Sequence, residues 1–140
     1  MTYTGRCACG EVKLTISGSP IALRQCWCRR CQTIAAGSPT NNGMFASEDI
    51  NLAGQLATRD YVAESGNTIT QSFCGACGTP VMAQSNARPE LRAIRLGMID
   101  APRDLRPRMA IWTDEAPEWA TIDPALEQHR RQPPPPPNPS

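Results

Sequence analysis

Short runs of alternating apolar and polar residues dominate the chain. Val12, Leu14 and Ile16 alternate with polar or charged neighbours, which is typical of a strand with one solvated face. Further apolar runs, each bounded by turn residues, occupy 68–73, 81–84 and 91–99. No stretch has the 3.6-residue period of a helix of about ten or more residues. The pattern therefore predicts an all-β or β-dominated domain.

Two stretches depart from this alternation. Residues 32–43 are mostly small or polar, which predicts a loop beside the neighbouring cysteines. From residue 128 the composition shifts to charged residues and glutamine and then to five prolines at 133–137. Such a composition predicts an extended, disordered tail without packing of its own. We therefore assign residues 1–127 to one domain and residues 128–140 to a Pro-rich tail.

Composition excludes several classes of protein. The 140 residues carry a formal net charge of +1 and only two Phe, two Tyr and three Trp, so we expect no nucleic-acid partner. The beginning of the chain has no basic segment followed by an apolar one, and no apolar run approaches the roughly 20 residues that span a bilayer. We expect a cytoplasmic protein without a membrane partner, in a reducing compartment where clustered cysteines bind metal.

Seven cysteines carry the candidate chemistry. They form three clusters: Cys7 with Cys9, Cys26 with Cys28 and Cys31, and Cys74 with Cys77. A structural zinc takes four protein ligands, whereas a catalytic zinc keeps one position open. The first and last clusters each end in a Cys-Gly step, as expected of tight turns whose amides point at sulfur. We therefore group these four cysteines as a closed site and the middle three as an open site.

The spacing alone also permits other arrangements. Cys28 and Cys31 could join Cys74 and Cys77 in a zinc ribbon, which leaves Cys7, Cys9 and Cys26 for the second site. Cys31 is followed by Gln32 rather than glycine, which argues against this partition. A reversible disulfide between Cys28 and Cys31 is a third arrangement, and it requires the second zinc to be absent.

The open site predicts thiol chemistry. A thiolate-rich zinc favours another sulfur ligand, so a small thiol substrate could take the fourth position and lose its proton there. In this interpretation Cys26, Cys28 and Cys31 are the ligands of the reactive zinc. The expected substrate contacts are Trp27, Arg29, Arg30 and Trp112.

These motifs resemble the glutathione-dependent formaldehyde-activating enzyme family over roughly 4–123. The resemblance rests on Cys-x-Cys-Gly at 7–10, Cys-x-Cys-x-x-Cys at 26–31, Cys-x-x-Cys-Gly-Thr-Pro at 74–80, Gly-Met-Ile-Asp at 97–100, Ile111-Trp112, Pro117 and Trp119. It implies antiparallel sheets around a structural zinc, in a β-sandwich or tent-like architecture. It also implies that Cys7, Cys9, Cys74 and Cys77 form the closed site. The chain departs from the family pattern at Ala110, where a histidine is expected.

The resemblance implies a carbon–sulfur lyase that joins glutathione to formaldehyde, giving S-hydroxymethylglutathione. We expect two Zn²⁺ per chain, the second partly occupied, and a small-molecule thiol as partner. The alternative is a non-catalytic, zinc-stabilised binding module for a protein or nucleic acid. That alternative is motivated by the Pro-rich tail and by scattered arginines at positions 88, 92, 95, 103, 106 and 108.

Overall fold

A computed structural model describes residues 2–100 and 104–139. This part of the chain contains eleven strands and one short α-helix. The strands are β1 (Thr2–Arg6), β2 (Lys13–Ser17), β3 (Ala22–Cys26), β4 (Thr40–Ala46), β5 (Ile50–Ala53), β6 (Leu56–Val62), β7 (Thr68–Cys74), β8 (Pro80–Ser85), β9 (Leu91–Arg95), β10 (Met109–Ile111) and β11 (Glu127–Gln128). The α-helix α1 is Arg29–Ile34, and single 3-10 turns occupy Ser47–Asp49, Leu96–Met98 and Thr113–Glu115. The β-dominated fold predicted from the alternation is confirmed.

A three-stranded antiparallel sheet is built from β1, β2 and β5 in that order. Strands β1 and β2 form a hairpin, with Tyr3 opposite Ile16 and Gly5 opposite Leu14. Every second residue of both strands is buried, so one face of this small sheet is apolar and the other solvated.

An eight-stranded sheet has the order β11-β10-β3-β4-β9-β8-β7-β6. All neighbours in the run β3-β4-β9-β8-β7-β6 are antiparallel. Strand β10 instead runs parallel to both of its neighbours, β3 and β11. The alternation pattern did not indicate this parallel edge, because β10 has only three residues and pairs with a strand more than 80 positions earlier. The pairing places Ile111 beside Cys26.

The apolar core lies between the small sheet and one face of the large sheet. Tyr3 and Phe45 meet edge to face across this interface, with their ring centroids 6.1 Å apart. Strand β1 and the 3-10 turn after β9 approach so closely that a Cβ on Gly5 would lie 2.0 Å from the carbonyl oxygen of Met98. A glycine at this position is therefore a requirement of packing. The opposite face of the large sheet carries the polar residues described below.

Residues 32–43, predicted as a loop, contain the end of α1 and the first half of β4. The prediction is confirmed for 35–39 and wrong for the residues on either side. In β4 it fails because the polar side chains are buried and satisfied by hydrogen bonds. Asn42 is buried, donates to Thr40 Oγ1 at 3.0 Å and accepts from Arg95 at 2.6 Å. Within 2–100 and 104–139, no helix is long and apolar enough to cross a membrane.

The C-terminal segment lies extended against the large sheet. Predicted as a disordered tail from residue 128, it instead begins inside β11, and its backbone continues the pairing where His129 N donates to Ala110 O at 2.9 Å. Arginines of the sheet then donate to proline carbonyls, which keep their acceptors although proline has no N–H to offer a strand. These bonds are Arg24 to Pro134 O at 3.4 Å and Arg88 to Pro136 O at 3.1 Å. The segment is thus polyproline-like in composition but has packing partners.

Candidate metal centres

Two glycine-ended turns bring four thiols together. Cys7 and Cys9 come from the turn between β1 and β2, and Cys74 and Cys77 from the turn between β7 and β8. All four sulfurs lie within 4.8 Å of one another, and we call this set the four-cysteine group. The Cys9 sulfur is 3.6 Å from that of Cys7 and 3.8 Å from that of Cys74. A tetrahedral zinc with bonds of about 2.3 Å separates its sulfurs by about 3.8 Å, so the donors fit that ion.

Backbone amides and a hydroxyl surround these sulfurs. Val12 N donates to Cys7 Sγ at 3.2 Å, and Cys77 N to Cys74 Sγ at 3.5 Å. Hydrogen bonds from the hydroxyl and backbone of Thr79 lower the pKa of the Cys77 thiol to about 5. Such donors favour thiolates, which are the metal-binding form of cysteine.

The glycines after the cysteines take the backbone conformation that the sequence predicted. Gly10 has φ of +83° and Gly78 of +79°. A side chain would be strained at such positive φ angles, so the tight turns depend on glycine. These tight turns orient the neighbouring backbone amides toward the cysteine sulfurs.

The other three thiols meet at the junction of β3 and α1. Cys26 ends β3, Cys28 is the N-cap of α1 and Cys31 lies in its first turn. Their sulfurs lie within 4.8 Å of one another, and we call them the three-cysteine group. The Cys28 sulfur accepts a hydrogen bond from Cys31 N at 3.3 Å. The seven thiols are thus grouped as four and three, and the ribbon partition, which joins Cys28 to Cys74, is not the observed arrangement.

The three-cysteine group lacks a fourth protein ligand. Among the described residues, no further Cys, His, Asp or Glu offers an atom within 4.8 Å of all three sulfurs. Cys26 and Cys31 are 8% and 7% exposed, whereas Cys28 is half-buried. Cys28 is therefore the most exposed of the three cysteines.

A buried arginine accompanies the three-cysteine group. Arg95 is 8% exposed, and its guanidinium donates to Asn42 Oδ1 and to Gln71 Oε1. Hydrogen bonds from Cys26 and Cys28, with further contributions from Thr40 and the charge of Arg95, lower the pKa of Cys31 to about 3. Burial lowers the pKa of Arg95 itself, while the three cysteines oppose that shift. The buried cation is thus the last of several influences that favour the thiolate form of Cys31.

Tyr61 stands near the same group and was missed by sequence reasoning. Burial, then the charge of Cys31, raises the pKa of its hydroxyl above the usual 10.0. The guanidinium of Arg30 stacks on the Tyr61 ring at 3.7 Å from its centroid. No local motif marks the polar residues near the three-cysteine group. Arg95, Gln71 and Tyr61 lie on three different strands, all far in sequence from the segment 26–31.

The four predicted substrate contacts separate into two pairs. Trp27 is 4% exposed and its ring N–H donates to Gln25 at 3.1 Å. Arg29 donates to Gln32 at 2.9 Å through its side chain. The Trp27 ring is thus bonded to β3, and the Arg29 side chain is bonded within α1. Arg30 lies over Tyr61, and Trp112 packs against the three-cysteine group.

Glu115 anchors the start of α1, and no motif marked this residue either. Its carboxylate accepts from Arg29 N, and its backbone oxygen accepts from Gln32 Nε2 at 2.9 Å. Gln32 also donates to Trp27 O at 2.7 Å. An acid at the beginning of a helix is favourable for the helix dipole. The junction between β3 and α1, which carries the three cysteines, is therefore held by hydrogen bonds to Glu115 and between Gln32 and Trp27.

Trp119 and Ala110 bear on the remaining sequence motifs. Trp119 is 72% exposed and takes no part in the core. Ala110 occupies the position at which the family pattern leads us to expect a histidine. It is fully buried in β10, next to Ile111. Arg103, one of the scattered arginines, lies outside the described residues.

Comparisons with known proteins agree with this geometry. The profile of the family described as glutathione-dependent formaldehyde-activating enzyme matches residues 2–115, a range that includes all seven cysteines. A Rhodobacter sphaeroides protein, solved as a structural genomics crystal structure, is similar with a TM-score of 0.57 and 20% sequence identity. That likeness covers 73% of this chain and 94% of the other, and at such identity it concerns the fold alone. No curated protein matches the chain.

Proposed function

The chain belongs to the glutathione-dependent formaldehyde-activating enzyme family, and we propose that it is a zinc-dependent carbon–sulfur lyase. It joins a small thiol such as glutathione to an aldehyde such as formaldehyde, which for this pair gives S-hydroxymethylglutathione. The observation that carries the proposal is the three-cysteine group, which offers three thiol ligands and lacks a fourth protein ligand among the described residues. The substrate thiol takes that fourth position.

The cysteines divide the metal roles. The four-cysteine group holds a structural zinc, and the three-cysteine group holds a second zinc that is partly occupied because it has one fewer protein ligand. When bound, the second zinc lowers the pKa of a coordinated thiol and so supplies a thiolate at neutral pH. Three thiolates and a divalent cation sum to −3 + 2 = −1, which the charge of Arg95 offsets.

The chain's own side chains then position the reactants. The half-buried side of Cys28 admits the thiol. The thiolate sulfur attacks the carbonyl carbon, the C–S bond forms and the π electron pair of the carbonyl moves to its oxygen. Tyr61 is protonated at neutral pH, since even an unperturbed tyrosine has a pKa near 10 and burial raises this one further. We assign it the role of donating a proton to that oxygen, after which water reprotonates the phenolate.

Arg30 and Trp112 remain the proposed contacts to the rest of the substrate. Arg30 presents a cation near Tyr61, and such a charge suits a carboxylate of glutathione. Trp112 lies against the cysteines on the side of β10. We place the activity in the cytoplasm, since a reducing compartment keeps all seven thiols available as ligands.

The test compares formation of S-hydroxymethylglutathione by the wild type and by Cys28→Ser. We expect the wild type to exceed the uncatalysed rate and Cys28→Ser to fall to it while keeping the zinc of the four-cysteine group. Thr33→Ala changes an exposed side chain of the same helix and should keep the wild-type rate. A wild-type rate equal to the uncatalysed one would exclude this substrate pair.

The same measurements separate the enzyme from a zinc-stabilised binding module. Two zincs per chain, one of them released by a mild chelator, support the enzyme. One inert zinc without any rate acceleration supports the binding module. The arginines that motivated the module do not form one basic surface, since Arg95 is buried and Arg88 pairs with Glu90.

A further inference from the structure

A cavity of about 720 Å³ lies between the large sheet and the C-terminal segment. Its floor is formed by side chains of four adjacent strands: Met44, Ala93, Ala83 and Ile69. Its roof includes Trp112, Pro133, Pro135 and Pro136. Small-molecule sites commonly measure 300–1,000 Å³ and are largely apolar, so the cavity has the size and lining of such a site.

The floor is apolar because small residues meet across the strands. Met44 is opposite Ala93, which in turn is opposite Ala83. Two alanines side by side leave a depression that larger residues would fill. The roof residues beyond position 115 lie outside the range of the family match. Part of the roof is therefore built by residues outside the family match, whereas the floor lies within it.

Arg24 lines this cavity as a buried cation. It is 8% exposed, and its Nε has no hydrogen-bond partner in the described part of the chain. Its one side-chain hydrogen bond there is a long contact of 3.4 Å to Pro134 O in the roof. No carboxylate of the described residues lies within 4.0 Å of its nitrogens. A buried charge without a matching partner is costly unless a ligand supplies one.

The other charges around the cavity are matched. Arg88 pairs with Glu90, and Arg131 pairs with Glu64 at 3.5 Å. Glu127, whose charge acts on Arg24, is exposed and faces His129 at 3.2 Å.

The three-cysteine group does not supply a hydrogen-bonding partner either. The charge of Cys26 acts on Arg24 through space, but Arg24 Nε has no hydrogen-bond partner in the described part of the chain. A ligand carboxylate would supply one.

We propose that this cavity binds an organic carboxylate with an apolar body, whose carboxylate pairs with Arg24 and whose body lies on the alanine floor. Glutathione does not fit this description because it is polar along its length. The ligand site stands whether or not the three-cysteine group performs thiol chemistry. It adjoins that group, since Trp112 both packs against the cysteines and lines the cavity.

Hexanoate and its neutral counterpart 1-hexanol are suitable probes, titrated into the zinc-loaded full chain by calorimetry. We expect hexanoate to bind about 10- to 100-fold more tightly than 1-hexanol, as a hydrogen-bonded charge allows. Arg24→Gln should weaken hexanoate by the same factor and leave 1-hexanol unchanged. Arg92→Gln is the matched control: its Nε is also unpartnered, but the residue does not line the cavity.

Methionine methyl NMR of the wild type locates the ligand without any variant. Met44 lines the cavity, whereas Met82 and Met98 lie in the core. Hexanoate should shift the Met44 methyl and leave the two core methyls in place. Equal affinity for acid and alcohol, no hexanoate binding, or shifts confined to the core would each overturn the proposal. Displacement of hexanoate by glutathione would also overturn it, by assigning the cavity to the thiol substrate. Cys28→Ser should bind hexanoate normally, which separates this test from that of the lyase activity.

Discussion

The guanidinium of Arg95 donates a hydrogen bond of 2.6 Å to the side-chain oxygen of Asn42, its direct neighbour on the adjacent strand. Arg95 is 8% exposed and Asn42 7%. If one partner were lost, water could not easily take its place in the hydrogen bond. This pair connects β4, the strand that follows α1, with the cation whose charge acts on Cys31.

Replacement of Asn42 should therefore destabilise the fold. We expect Asn42→Ala to lower the free energy of unfolding by about 2 kcal/mol, because it leaves a charged donor unsatisfied in the sheet. Urea denaturation measures this change. Asn41→Ala, at the exposed neighbouring position, should change it by less than about 0.5 kcal/mol. Equal effects of the two substitutions would refute the role of the hydrogen bond.

The contact at Gly5 gives a prediction about packing. Gly5→Ala should cost about 2–4 kcal/mol, since its new Cβ would lie 2.0 Å from the backbone oxygen of Met98 and β1 would have to move away from the turn at Met98. Thermal or urea unfolding checks it. Gly97→Ala is the control, because a Cβ at Gly97 meets nothing within 4 Å. Comparable stability of both variants would contradict the close approach.

The two cysteine groups should differ in what they stabilise. Cys9→Ser opens the four-cysteine group, which joins turns more than 60 residues apart, and should lower the free energy of unfolding by at least about 3 kcal/mol. Cys28→Ser should cost less, since Cys26 and Cys31 lie within one local loop of the chain. Zinc content and unfolding curves of both variants test this. A larger loss of stability in Cys28→Ser would reverse the proposed roles.

Tyr61 provides a pH-dependent signal. Its pKa is raised above 10.0 in the folded chain, by burial first and then by the charge of Cys31. The unfolded chain therefore loses this proton at lower pH than the folded one. The contribution to stability is complete below pH 10 and is lost as the pH rises through the folded pKa.

Tyrosinate absorbance of Tyr3→Phe, which leaves Tyr61 as the remaining tyrosine of the chain, should titrate above pH 10 when folded and near 10 in urea. Thiolate absorbance is subtracted with the double variant that also carries Tyr61→Phe. Identical midpoints for folded and unfolded protein would contradict the burial of this hydroxyl.

The sequence predicted the β-dominated fold because alternation and turn residues are local signals. Val12, Leu14 and Ile16 are buried at every second position, as their pattern indicates. The glycines after Cys9 and Cys77 were equally informative, since a tight turn requires positive φ at these positions. The residues around the three-cysteine group were harder. The sequence gives no sign that Asn42 and Arg95 are buried, since polar and charged residues are usually exposed. Their hydrogen bond across two strands offsets the free-energy cost of burying them.

The contacts of the C-terminal segment were also not predictable from local sequence patterns. Five consecutive prolines carry no periodicity, and nothing in their composition distinguishes a free chain from one held by its carbonyls. The partners, Arg24 and Arg88, lie far away in sequence, so the contact cannot be deduced before the sheet is known.

The position of that segment has an evolutionary consequence. The metal ligands lie within residues 7–77, whereas much of the cavity roof lies beyond residue 130. A change in the last ten residues can therefore reshape the cavity without altering a metal ligand or a core contact of the small sheet. Relatives with the same cysteines and different C-terminal ends could diversify the ligands they accept by changing one short, independently variable piece of chain.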